Sequence, residues 1–163
     1  VSGRIINTTS VSGLYGNPGQ TNYGAAKAGI AAFTIIASLE LARYGVTVNA
    51  VAPIALTRMT EGLGPAPETD EEREARNPRW IAPIVTWLAS EESAGVTGRV
   101  FEASGQMLAV AEGWVRGPST DPIEDPTQIG PAVQKLLADA RPNSGMDGKP
   151  GSWPQTTLQQ QKQ

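Results

Sequence analysis

Tyr23 and Lys27 stand four residues apart in the run QTNYGAAKAGI, residues 20–30. On a helix, positions i and i+4 share a face, so a phenol and an ammonium project together there. A tyrosine is a poor base near neutrality, because its ordinary pKa is about 10. A neighbouring ammonium favours the phenolate and lowers that value. Such a pair can accept a proton from an alcohol or donate one to a carbonyl. With so few tyrosines and lysines in 163 residues, chance alone gives about 0.07 such pairs. Requiring a serine 13 residues earlier, where Ser10 stands, lowers that to about 0.005. The plain alternatives are a surface tyrosine lying on a lysine stem and serines that merely cap a turn. Ser12 is a rival to Ser10.

Composition narrows the chemistry. The chain has no histidine and no cysteine. That excludes Ser-His-Asp hydrolysis, HExxH metalloprotease sites, thiolate nucleophiles and disulfide frameworks. Acid–base work falls to Tyr, Lys, Asp or Glu, and no metal site is expected. A formal charge of -3 gives no electrostatic reason to expect nucleic acid or an anionic membrane as partner. No apolar run approaches 18 residues, so no membrane span is expected. The chain opens at Val1, inside what reads as a strand, with no charged leader. The expectation is a fragment lacking its N-terminal part, of cytoplasmic origin.

The elements that must position these residues follow from pattern. Arg4 to Thr9 reads as a buried strand ending in the small polar set Thr8, Thr9, Ser10. Ser12 to Gln20 (SGLYGNPGQ) reads as loop. Thr21 or Asn22 is the expected N-cap of a helix reaching Tyr44 and stopped by Gly45. Its apolar residues include Ala26, Ile30, Phe33, Ala37 and Leu41, a helical stripe. Val46 to Ala52 is a second strand, ended by Pro53. The acidic stretch 61–77 reads as a solvated loop or helix face, or as a lid over a ligand. Asn77 and Pro78 should open a helix to about Ser90, with Trp80, Ile84, Trp87 and Leu88 inward. Val96 to Ala103 is a third strand. Strands alternating with helices imply a parallel α/β sheet. Residues 132–140 suit one short helix, and 141–163 read as a disordered or linker-like tail. The expected division is a domain over 1–116 and an extension over 117–163.

The segments TSVSGLYGNPGQTNYGAAKAGI and GVTVNAVAP resemble the C-terminal half of a classical short-chain dehydrogenase/reductase. The resemblance covers residues 1 to about 115. It implies a Rossmann-like, doubly wound parallel sheet whose N-terminal half, with the Gly-rich phosphate loop, is missing here. It implies Tyr23 as catalytic acid/base and Lys27 as the group that lowers its pKa and holds the nicotinamide ribose. Ser10 would hydrogen-bond the substrate oxygen, with Ser12 and Tyr23 completing the substrate contacts. Thr8, Tyr23, Lys27, Pro53, Ile54, Leu56 and Thr57 would meet the cofactor, NAD or NADP, with NAD favoured. Two departures are visible. Pro53 is followed by Ile54 where the family usually has Gly, and Ala103-Ser104-Gly105 replaces its closing Asp-Gly-Gly. The segments PIALTRMT and NPRWIAPIVTWLASEESAGVTGRVFEASG are similar to the hydroxyacyl-CoA dehydrogenase domain of multifunctional β-oxidation enzymes, of the 17β-hydroxysteroid dehydrogenase type 4 kind. The implied function is hydride exchange between nicotinamide and a secondary alcohol or ketone, on a hydroxyacyl-CoA or steroid-type substrate. The alternatives are a 3-oxoacyl-[acyl-carrier-protein] reductase and a non-catalytic protein of the same fold. The resemblance further implies a homodimer or homotetramer formed through the 22–44 helix, where Ala25, Ala28, Ala32, Phe33 and Ile36 suit a close contact.

Overall fold

The computed structural model describes residues 2–60, 62 and 66–152. The chain divides into two units, residues 1–112 and 113–163. In the first, strands β1 (Gly3–Thr8), β2 (Val46–Pro53) and β3 (Val100–Ala103) pair in parallel, in that order. A fourth strand, β4 (Leu108–Ala111), returns antiparallel against β3. Sequence pattern did not announce β4, because LAVA is too short and too uniformly apolar to show a period. β3 is also shorter than expected. Residues 96–99 instead form a turn bound to Asn49 on β2, whose amide donates to the Val96 carbonyl and accepts from the Arg99 N–H.

Short helix α1 (Val11–Tyr15) and long helix α2 (Thr21–Leu41) cover one face of the sheet. Helix α4 (Ala82–Ala89) covers the other. Alternation along the strands sorts the core between them. Ala50, Ala52 and Val100 face Val11 and Ala31. Val51 and Ala103 face Ile84 and Leu88. The layered α/β sheet with Rossmann-like connections is therefore the architecture the alternating pattern implies.

The buried face of helix α2 overlaps this apolar stripe only at Ala37. Its buried residues are Ala31, Thr34, Ala37 and Ser38, whereas Phe33, Ile35, Ile36 and Leu39 are exposed, Leu39 by 76%. The sheet accepts only small side chains at this distance. Thr34 accepts a hydrogen bond from Asn7 on β1 at 3.0 Å, and Ser38 lies against Gly98. The larger apolar side chains point away from the sheet. The helix starts without a side-chain cap from Thr21 or Asn22; Gln20 holds the cap position. A 3-10 turn, Ala42–Tyr44, finishes it, and Gly45 takes a left-handed φ of 71° that a side chain would strain. By length and composition alone the segment Thr21–Tyr44 is apolar enough to cross a membrane, with mean hydropathy 1.5, a test that a helix packed on a sheet also passes. In this fold its polar residues Lys27, Thr34 and Ser38 mark the side turned to the sheet and its turns.

The loop expected over Ser12 to Gln20 is partly helical. Ser10 caps α1 by accepting from the Ser12 N–H at 3.2 Å. The expected helix from Asn77 begins as a 3-10 turn, Pro78–Ile81, with Asn77 capping the Arg79 N–H. Only Ile84 and Leu88, one turn apart, are buried. Trp80 and Trp87 lie on the surface, against expectation. Trp80 is held there by its indole N–H on the Glu74 carbonyl and by the Arg79 guanidinium over its ring. Part of the acidic stretch forms α3 (Asp70–Ala75), capped by Thr69 and exposed from Asp70 to Glu74, as a solvated helix face would be. Residues 61 and 63–65 lie outside the described residues.

The second unit holds α5 (Pro126–Asp139), which begins earlier than expected. Asp125 caps it, accepting from the Thr127 hydroxyl and N–H, and these bonds hold its carboxyl below the ordinary range. Within the stretch read as a tail, Ser144 and Pro150 form an isolated bridge. Residues 153–163 lie outside the described residues.

Candidate active site

The carboxyl ends of parallel strands are where open α/β sheets bind ligands. β1 delivers Thr8, Thr9 and Ser10 there, beside the end of β2. The Thr9 N–H bonds the Val51 carbonyl at 2.8 Å, fixing the two ends together. Helix α2 then brings its first turns over this edge. Lys27 Nζ donates to the Thr8 carbonyl at 3.0 Å and lies 5.6 Å from the centre of the Tyr23 ring. The Thr9 hydroxyl donates to the Lys27 carbonyl at 2.6 Å. Lysine is thus tied to the strand end through both side chain and backbone. Tyr23 is 44% exposed, leaving its ring open to solvent.

Ser10 and Ser12 come to the same place through α1. Both are buried. A Cβ at Gly13 would sit 2.6 Å from the Ala28 nitrogen and 2.7 Å from the Lys27 carbonyl carbon. Only glycine lets α1 lie this close to the turn that carries Lys27. Gly24, next to Tyr23, faces the Ser12 carbonyl in the same way, at 3.2 Å. The serine turn and the tyrosine-lysine turn therefore form one packed unit. A cavity of about 330 Å³ borders it, lined by Ser12, Gly13, Gly24, Ala25 and Ala28 among others.

The segment after β2 is held elsewhere. Pro53 ends the strand, and the Ile54 N–H bonds the Ala103 carbonyl at 2.9 Å. The Leu56 N–H bonds the Arg76 carbonyl at 2.8 Å, and the Thr57 N–H bonds the Thr60 hydroxyl at 2.7 Å. Their hydrogen bonds thus run to β3, to the end of α3 and within their own turn, not to Tyr23 or Lys27.

Two features escaped sequence reading. Thr9 locks Lys27, yet a threonine at a strand end carries no distinctive spacing. The Tyr15 hydroxyl, at the end of α1, donates a hydrogen bond to Glu102 on β3. These partners are 87 residues apart, beyond any local pattern. Burial, then the Glu102 hydrogen bond, then its charge push the Tyr15 hydroxyl well above the ordinary tyrosine range.

A family model described as Enoyl-(Acyl carrier protein) reductase matches residues 1–105. The chain is 49% identical, over 111 residues, to a 3-oxoacyl-[acyl-carrier-protein] reductase of Synechocystis; this spans 66% of the chain and 45% of that protein. It is 42% identical, over 112 residues, to hydroxyacyl-CoA dehydrogenase ChsB1 of Mycobacterium tuberculosis, spanning 68% and 35%. Among solved structures, a short chain dehydrogenase from Mycobacterium avium matches with TM-score 0.76 and 51% identity, over 89% of this chain and 48% of that one. The peroxisomal multifunctional enzyme type 2 of Drosophila melanogaster matches with TM-score 0.65 and 32% identity, over 85% and 24%. The chain spans less than half the length of each of these proteins. With a parallel sheet that ends at a serine turn and a tyrosine-lysine turn, and with this likeness over two thirds of its residues, the chain belongs to the short-chain dehydrogenase/reductase family.

Proposed function

We propose that this chain carries the catalytic half of an NAD(P)-dependent oxidoreductase acting on a 3-hydroxyacyl or 3-oxoacyl thioester. The observation that carries the reading is the joint packing of the Ser10 turn against the Tyr23–Lys27 turn at the carboxyl edge of the sheet. The residues present suit the nicotinamide-ribose end of a cofactor. A lysine ammonium is fixed at the strand end, and a phenol beside it is open to solvent. Lys27, with Thr8 and the Pro53, Ile54, Leu56 and Thr57 segment, would hold it. Such a cofactor would supply hydride exchange with the substrate carbon.

The protein's own groups handle the oxygen and its proton. In the oxidising direction Tyr23 Oη takes the hydroxyl proton as the carbonyl forms; in the reducing direction it returns one. The Lys27 ammonium lies 5.6 Å from the ring centre, beside that exchange. Ser10 Oγ donates to the substrate oxygen and stabilises its developing charge, with Ser12 beside it. Thioester substrates are favoured because the similar proteins include a 3-oxoacyl-[acyl-carrier-protein] reductase and a hydroxyacyl-CoA dehydrogenase. We take CoA thioesters and NAD as the leading pair, because the segment after Pro53 and the segment from Asn77 to Gly105 are those resembling β-oxidation dehydrogenases.

The outward face of α2 serves self-association. Phe33, Ile36 and Leu39 expose a large apolar strip beside the small residues Ala25, Ala28 and Ala32. Such strips on soluble domains mark contact surfaces.

The test is a substrate panel on the intact gene product: hydroxyacyl-CoA, the matching carrier-protein thioester and a steroid alcohol, each with NAD and NADP. Nicotinamide absorbance should change fastest with hydroxyacyl-CoA and NAD. Preference for the carrier-protein thioester with NADP would select the reductase reading. Absence of turnover in every combination would leave a non-catalytic protein of this fold.

A further inference from the structure

We infer that Tyr15 and Glu102 form a positioning pair that sets the orientation of Ser10 toward the substrate oxygen. The inference rests on the proposed role of Ser10. Glu102 is a carboxylate only 4% exposed, on the last parallel strand. It lies beside Ala52 on β2 and Ala109 on β4 and faces the α1 side of the sheet. Burying a carboxylate costs free energy that simple packing would avoid by using an apolar residue. Here the carboxylate accepts the Tyr15 hydroxyl.

The consequence lies at the other end of α1. This helix has five residues, little more than one turn, and is too short to hold its own position. Its N-terminus is fixed by Ser10, whose Oγ accepts from the Ser12 N–H. Its C-terminal residue is Tyr15, fixed by Glu102. Between them Val11 enters the core, and Gly13 meets the backbone at Lys27 and Ala28. Gly13 fixes how closely α1 approaches α2, and the Tyr15 anchor fixes its rotation over the sheet. Rotation of so short a helix turns Ser10 directly. Catalysis is sensitive to misplacements of about 1 Å.

The experiment is a set of variants in the intact gene product. Tyr15→Phe removes the hydroxyl and Glu102→Leu removes the acceptor. Each should lower kcat roughly tenfold or more while leaving the nicotinamide KM unchanged. Glu102→Gln keeps a carbonyl acceptor and should recover most of the loss. In a Ser10→Ala background, Tyr15→Phe should have little further effect, because its action passes through Ser10. If Tyr15→Phe does not accumulate folded, Glu102→Asp replaces it; retraction of the carboxylate by one methylene should produce the same loss of kcat. Unchanged kcat in these variants, or an equal loss with and without Ser10, would overturn the pair's positioning role. Tyr23→Phe separates this from the site reading. If Tyr23→Phe keeps full activity, the site itself is misassigned; if Tyr23→Phe is inactive while Tyr15→Phe is fully active, only the positioning pair fails.

Discussion

Ser10 has two duties in this structure, and they can be measured separately. It caps α1, and it would hold the substrate oxygen. Ser10→Ala should cost about 1 kcal/mol of stability as a lost cap, read as a lower melting temperature. It should also lower kcat about a hundredfold as a lost donor to the developing oxyanion. Ser12→Ala should leave turnover nearly unchanged, since Ser12 bonds Ser10 through its backbone rather than its hydroxyl. The reverse result would transfer the catalytic role to Ser12. The rivalry was visible in the sequence because both serines follow the same strand. It could not be resolved there, because the cap that separates them depends on a helix that SGLYGNPGQ conceals behind its glycines. The tyrosine-lysine pair was legible because helical spacing is local. The lock from Thr9 to the Lys27 carbonyl, and the bond from Tyr15 to Glu102, were not, because both join distant segments.

At the level of elements, α1 and α2 meet without clearance. Gly13→Ala places a methyl group 2.6–2.8 Å from Lys27 and Ala28 atoms, most of them backbone. The two helices must separate, at a cost of about 1–3 kcal/mol, seen as a lower denaturation midpoint. No loss of stability would show that the contact yields easily. The Tyr15 anchor makes a second prediction, about pH. Its pKa is raised in the folded protein, so its contribution to stability is complete below the ordinary tyrosine value of about 10. That contribution fades as pH climbs from there toward the folded value. Thermal stability of the protein should therefore fall more steeply above pH ~10 than that of Tyr15→Phe. Parallel curves for the two would contradict the raised value. Helix α2 shows why element type was easier to read than facing. Its length and stop at Gly45 follow from local signals. Its buried face does not, because the sheet selects Ala31, Thr34, Ala37 and Ser38 for size, leaving Phe33 and Ile36 outward.

At the scale of the molecule, the first unit sets parallel strands with helices on both faces, a chemically equipped edge and an exposed apolar helix face. If the latter is a self-association surface, replacing Phe33 and Ile36 together by Asp should convert an oligomer to monomers in light scattering, with the fold retained. An unchanged mass would assign that face another role. The equipped edge carries the main claim, that Tyr23 exchanges the substrate proton while Lys27 and Ser10 support it. The most direct measurement is turnover and nicotinamide binding by the intact gene product and its Tyr23→Phe variant, on the same hydroxyacyl thioester. Turnover should fall about 10²–10⁴-fold in the variant, with cofactor affinity little changed. Turnover retained without the Tyr23 hydroxyl would contradict that claim.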